Sequence, residues 1–180
     1  MGGNIIKRES EVKNLGLVMD EQFTWEKNTS NMIKKSYSKL SGFYNLRRTL
    51  SIKTKTKLVE TYVLSQLNYC DMVTQGMAVS QKQRIQRTQN SCIRYIFGLS
   101  KYDHITPYFH KLNTLNMEGR VRSHALTMLH KTVNKNAPTY LTEKLSYRHN
   151  IHSHNTRHRH TLNIRRLHTS KKNEAFLLKQ

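Results

Sequence analysis

Cysteine is nearly absent from this chain, with Cys70 and Cys92 alone. Two thiols cannot build the disulfide framework of a small secreted domain, so the expectation is a reducing, intracellular setting, nucleus or cytoplasm. Proline is as rare: Pro107 and Pro138 are the only two, and the intervals around them are free to be helical. No apolar run approaches the roughly 18 residues a membrane span needs. No apolar stretch follows the early charges, so no secretory leader is expected. Acid is the most consequential shortage, with 11 Asp+Glu against 31 Lys+Arg and a formal net charge of +20. The partner of such a chain is anionic, most simply nucleic acid.

Scarce acid also limits chemistry. Asp20-Glu21 is the only adjacent acidic pair, and no D-x-D or Asp-Asp doublet occurs. Two-metal phosphoryl transfer is therefore not expected of this chain alone, and no catalytic residue is assigned. Cys92, Asp103 and His104 form a nominal nucleophile set. However, Cys92 falls on the apolar face of a predicted helix, and a buried inert thiol is the better reading. In HNIHSHNTRHRH, the spacing of His149, His152, His154, His158 and His160 could wrap a metal. Arginines interleave that run and no cysteine or carboxylate accompanies it, so a phosphate-facing or solvated tail is preferred and no metal ligand is assigned.

What is present organises into segments. Residues 1–30 carry four basic and five acidic side chains, residues 31–135 eighteen and four, and residues 136–180 nine and two. NIIKR at 4–8 and VKNLGLV at 12–18 read as the two strands of a hairpin. A first helix is predicted over 29–48, its apolar stripe formed by Ile33, Tyr37, Leu40 and Tyr44. A second starts at an N-cap, Ser51, runs to 67 and buries Leu58, Val59, Tyr62, Val63 and Leu67. A third begins at Ser80 in a capping box with Gln83 and stops at Gly98. It places Ile85, Gln89, Cys92, Ile93 and Ile96 opposite Arg84, Arg87 and Arg94. A connector over 99–116 leads to a fourth helix over 117–135, and PTYLTEKL adds a short turn. From 147 the apolar period fades into a basic tail. The fold class is thus mainly α: an N-terminal β-hairpin (1–28), a three-helix bundle (29–98), a helical connector (99–146) and a basic, weakly ordered tail (147–180).

Lysine faces are ordinarily just solvated. Here successive helices carry cations with almost no acid to balance them, interleaved with Tyr44, Tyr95, Gln83 and Asn90. Such side chains fix a protein on a sugar–phosphate backbone without reading sequence. The candidate contacts are Lys34, Lys35, Lys39, Arg47, Arg48, Arg84, Arg87 and Arg94. About six such contacts would give a log K versus log salt slope near −5.

VKNLGLVMDEQFTW, then LRRTLSIKTKTKLVETYVLSQLNYCD, then RIQRTQNSCIRYIFGLSKYDHITP resemble, in that order, the downstream part of the reverse transcriptase of non-LTR (LINE-type, jockey-like) retrotransposons. The similarity covers nearly the whole chain and fades after Tyr147. It implies that Leu15-Gly16-Leu17 is the primer-grip turn, 29–98 the thumb against the primer–template duplex, and 99–147 a connector beyond it. In that family the metal-binding aspartates lie upstream, in a Tyr-x-Asp-Asp loop that this sequence does not contain. The resemblance therefore implies a fragment of an RNA-directed DNA polymerase, a thumb and connector without the palm. Magnesium is expected only in the full-length polymerase, and no cofactor in this chain. The implied partners are the backbone of RNA or an RNA–DNA duplex and, alternatively, the palm of an intact element polymerase reached in trans. A chain of transposon descent with no retained activity is the competing expectation.

Overall fold

Asn14-Leu15-Gly16-Leu17 cannot run on as a strand, because Leu15 (φ 47) and Gly16 (φ 86) both take left-handed backbone. Two successive positive φ values make the tight primed turn that joins right-twisted antiparallel strands. In the computed structural model, which describes residues 9–134, 137–151, 154 and 157–163, that turn joins β1 (Glu11–Asn14) to β2 (Leu17–Asp20), with Glu11 opposite Asp20 and Asn14 opposite Leu17. The expected hairpin exists but is displaced: 12–18 is not one strand but contains the turn, and residues 4–8 lie outside the described residues. Gly16 suits its position, whereas Leu15 pays the left-handed penalty. Replacing Leu15 with Asn should raise stability by about 1 kcal/mol in urea unfolding; an unchanged or lowered midpoint would mean that the leucine compensates elsewhere.

β1 is exposed along its length, while β2 buries Leu17 and anchors to the first helix, the Val18 N–H donating to Asn28 Oδ1 at 3.2 Å. That helix, α1 (Glu26–Tyr44), starts three residues before the expected Thr29, just after the buried Trp25. Its inward face also differs from the expected stripe. Thr29 and Ser36 are fully buried and Leu40 nearly so, but Tyr37 and Tyr44 are exposed. Small side chains let α1 approach its neighbours closely, and the tyrosine rings stay exposed with their hydroxyls bonded at the surface, Tyr37 to Ser91 and Tyr44 to Arg47.

Ser51 caps α2 (Ile52–Val59) as expected, its hydroxyl accepting from the Thr54 N–H at 3.2 Å. The rod continues through a π-helical turn (Glu60–Leu64) into α3 (Ser65–Asn68). Val59, Val63 and Leu67, spaced by four, are all buried. In a regular helix a four-residue repeat drifts by roughly 40° per step; the wider i→i+5 turn absorbs that drift. Tyr62 is left half-exposed rather than buried. A 3-10 turn (Val73–Gly76) leads to α4 (Val79–Phe97). The capping box at Ser80 does not form, because the helix begins earlier, at Ala78, with no side-chain cap. Gly98 ends it in left-handed backbone (φ 73), its N–H on the Arg94 carbonyl.

α1 and α4 run parallel, since Ser30 meets Arg84, Tyr37 meets Ser91 and Phe43 meets Tyr95 in the same order along both. α2–α3 returns between them in direction. Two apolar clusters fill this up-down-up bundle. Leu17, Trp25, Leu67, Met77, Ile85 and Met117 form one, and Leu40, Val59, Val63, Cys92, Tyr95 and Ile96 the other. The connector is more ordered than a loop: α5 (Thr106–Lys111) carries Pro107 in its first turn, and α6 (Met117–Val133) follows. Gln86 and the fully buried Gln89 hold that junction, accepting from the Met117 N–H at 2.8 Å and donating to the Leu115 carbonyl at 2.9 Å.

The chain divides into two compact units, 1–125 and 126–180. The second holds the end of α6, α7 (Thr139–Thr142) and a 3-10 turn (Arg148–Asn150). Within the expected tail, Tyr147 bridges Leu162 antiparallel, and the Arg148 and Asn163 N–H groups reach the Thr161 and Ser146 carbonyls. Residues 135, 136, 152, 153, 155, 156 and 164–180 lie outside the described residues. The fold is mainly helical behind an N-terminal hairpin, and no helix among the described residues is long and apolar enough to cross a membrane.

Candidate nucleic-acid interface

The expected contacts fall into three groups rather than one face. On α1, Ser30, Lys34 and Tyr37 follow one another at i, i+4 and i+7, and on α4, Arg84, Arg87 and Ser91 do the same at i, i+3 and i+7. The two rows meet at the α1–α4 seam through two contacts: an Arg84 terminal nitrogen donates to Ser30 Oγ at 3.2 Å, and Tyr37 Oη lies 3.2 Å from Ser91 Oγ. Lys34 and Arg87 are exposed, and no carboxylate occurs from Lys27 to Tyr44 or anywhere in α4. Arg84 and three hydroxyls thus meet at this edge, with Lys34 and Arg87 one turn away, and the nearest acid on α1 is Glu26, one turn before Ser30.

Lys39 lies two residues from Tyr37, hence roughly 160° around the helix. It faces the opposite flank, donating to the Tyr62 carbonyl at 3.0 Å inside the π-helical turn. With Lys34, Lys35, Ser38 and Gln66 it lines a shallow open groove. Arg47, Arg48 and Arg94 lie at the far end of the bundle. Arg47 donates to Tyr44 Oη at 3.0 Å and to the Leu99 carbonyl at 3.4 Å, and Arg94 Nε to the Ser100 carbonyl at 3.1 Å. Arg94 therefore helps fasten the α4 terminus, a role its place in the arginine stripe does not reveal.

The primer-grip-like residues separate by burial. Leu17 is in the core, Gly16 makes the turn, and Leu15 is 81% exposed at its tip. The Tyr69 hydroxyl donates to the Leu15 carbonyl at 2.7 Å and fastens that tip to the bundle. Interaction with the Cys70 thiol holds the Tyr69 phenol above its ordinary pKa.

Sequence reasoning missed two charged positions. Lys55 is buried and donates to the Arg47 carbonyl at 3.2 Å, closing the α1–α2 corner. Asp71, also buried, faces His124 Nδ1 at 2.9 Å, one turn beyond Arg120 on α6. Burial pulls the Arg120 guanidinium below its ordinary pKa and the Asp71 charge pushes it back up. The available signal was weak: Asp71 is the one acid between Glu60 and Asp103.

The nucleophile set is not assembled. Cys92 is buried in the core, and burial pushes its thiol up to about 12, while Asp103 accepts the Ser100 N–H at 2.6 Å. A thiol with so high a pKa stays protonated and unreactive through neutral pH. Iodoacetamide at pH 8 should therefore modify the half-buried Cys70 and spare Cys92 until the chain unfolds. Peptide mass spectrometry checks this, and native alkylation of Cys92 would contradict its placement. His149 stacks on Tyr147 and leans against His160, with ring centroids at 5.7 and 5.9 Å. Among the described residues no group of three or more His, Cys, Asp or Glu gathers for a metal, and His152 lies outside them.

No protein-family profile, curated protein sequence or solved structure matches this chain.

Proposed function

We propose that this chain is a nucleic-acid-binding module, the thumb and connector of a non-LTR retrotransposon reverse transcriptase, which grips RNA or an RNA–DNA duplex by its backbone. One observation carries the reading: Arg84 meets Ser30 and Tyr37 meets Ser91 across the α1–α4 seam, with the exposed Lys34 and Arg87 one turn away on the same helices and no carboxylate from Lys27 to Tyr44 or in α4. Cations and hydroxyls in a row, with no base-reading loop, suit phosphates and riboses rather than base edges. The ordered resemblance of the sequence to that family supplies the biological setting. In it, this chain positions the duplex, and carboxylates and magnesium elsewhere in the polymerase perform nucleotide addition.

The test is equilibrium binding of an RNA–DNA hybrid by the full chain and by its Lys34→Glu/Arg87→Glu variant. The reading requires tight binding by the first and strong loss in the second. Equal binding by both would remove it. A second reading, action in trans on the palm of an intact polymerase, draws on β1, whose side chains are exposed along its length, and on Leu15, apolar and exposed at the turn. Unpaired strand edges and solvent-exposed apolar tips are where another sheet docks.

A further inference from the structure

The end of the bundle where α4 stops has a different chemistry from the seam. Three cations there each lie over a tyrosine ring: Arg47 over Tyr44 at 5.5 Å, Lys101 over Tyr102 at 5.8 Å and Lys111 over Tyr108 at 5.0 Å. All three pairs attach to residues 97–102. Arg47 reaches the Leu99 carbonyl, Tyr102 follows Lys101 directly, and Tyr108 packs on Phe97 at 4.7 Å. Tyr102 is 90% exposed and Tyr44 is 58% exposed. The exposure of Tyr102 is imposed by its loop. The Ser100 N–H is held by Asp103, the Tyr102 N–H by Ser100 Oγ at 3.3 Å, and the Ser100 carbonyl by Arg94. Asp103, the only acid in that loop, is thereby occupied.

We propose that this end is a separate binding site for single-stranded nucleic acid, with unpaired bases stacking on Tyr102 and Tyr44 and the flanking phosphates meeting Lys101, Arg47 and Arg94. The inference rests on the nucleic-acid reading but not on the seam. A duplex hides the faces of its bases, so an exposed, loop-fixed tyrosine beside cations serves an unpaired strand and adds nothing for a helix. Stacking tolerates every base, since each has a π face. A cation already over one face of Tyr102 orients the ring and leaves the other face for a base. The arrangement fits a module that meets a duplex along its side and a displaced or not-yet-paired strand at its end.

The experiment measures anisotropy of a labelled oligothymidylate roughly ten nucleotides long, of an abasic strand of the same length, and of a hybrid duplex. The proteins are the full chain and its Tyr102→Ala, Tyr102→Phe and Lys34→Glu/Arg87→Glu variants. Tyr102→Ala should weaken oligothymidylate binding roughly tenfold, Tyr102→Phe should retain it, and hybrid binding should be unmoved by either. The abasic strand should bind weakly and without dependence on Tyr102. Charge reversal at the seam should weaken the hybrid far more than the oligothymidylate. Native-like oligothymidylate binding by Tyr102→Ala, or an abasic strand bound as tightly as the thymidylate, overturns the proposal. An oligoglutamate peptide that binds with the same dependence on Tyr102 also overturns it, because the site would then be for acidic protein. Loss of this site with hybrid binding intact leaves the proposed function standing, whereas failure of the native chain to bind either ligand removes both.

Discussion

Asp71→Ala should lower the unfolding free energy by about 2 kcal/mol, between the scales of an exposed and a fully buried ion pair, because Asp71 is buried while His124 is 43% exposed. The Asp71 carboxylate is buried and can only accept, so His124 Nδ1, 2.9 and 3.1 Å from its two oxygens, carries the hydrogen between them. Arg120, half-buried one turn earlier on α6, has a buried Nε without a partner and relies on Asp71 for countercharge. Removing the carboxylate strands a desolvated guanidinium, which costs more than the contact itself supplied. Restoring neutrality with Asp71→Ala/Arg120→Met should therefore recover most of the loss. Urea unfolding of the three chains decides the matter. A single-variant loss below about 0.5 kcal/mol, or a double variant no better than the single, would mean that Arg120 finds its balance elsewhere.

Lys34→Glu combined with Arg87→Glu should weaken hybrid-duplex binding on the order of a hundredfold, about 1.4 kcal/mol at each position. Both side chains are exposed, so helicity and the unfolding midpoint should not move. The other arginines of α4 give a less clean result. Arg84→Glu also breaks the Ser30 contact, and Arg94→Glu loosens the helix terminus at Ser100. Lys35→Glu, away from the seam, should change hybrid affinity by less than about threefold and serves as the control. Equal losses from Lys35→Glu and the seam pair would mean diffuse attraction rather than a defined edge.

Much of the bundle was legible because its signals are local. Ser51 as a cap, Gly98 as a stop and the inward Ile85, Cys92, Ile93 and Ile96 all follow from the helical period and single-residue preferences. The hairpin was misplaced because a non-glycine residue in left-handed backbone leaves no sequence mark: Leu15 reads as a strand residue. Tyr37 and Tyr44 were placed inside because the pattern weighs apolarity, whereas helix approach at Thr29 and Ser36 is decided by size. The π-helical turn was hidden too, since a four-residue apolar spacing looks like an ordinary helix until its drift is followed. The candidate contacts were picked by charge along each helix, so neither their grouping nor the buried Lys55 was legible. The parallel pairing of α1 with α4 brings Ser30 to Arg84 and Tyr37 to Ser91, one turn from Lys34 and Arg87, and sends Lys39 to the other flank. That pairing is set by contacts between residues more than fifty positions apart. The clustering of Tyr44 and Tyr102 at one end depends on the same tertiary geometry.

Salt dependence tests the central claim most directly. With the α1–α4 seam as the duplex contact, three phosphates are neutralised, by Lys34, Arg84 and Arg87. A plot of log K against log salt for the hybrid duplex should then have a slope close to −3, at roughly −0.9 per phosphate. That is shallower than the value near −5 expected if the scattered basic residues acted together. In Lys34→Glu/Arg87→Glu the slope should fall to about −1. A slope near zero in the native chain, or the same slope in both proteins, would contradict a phosphate grip at this seam.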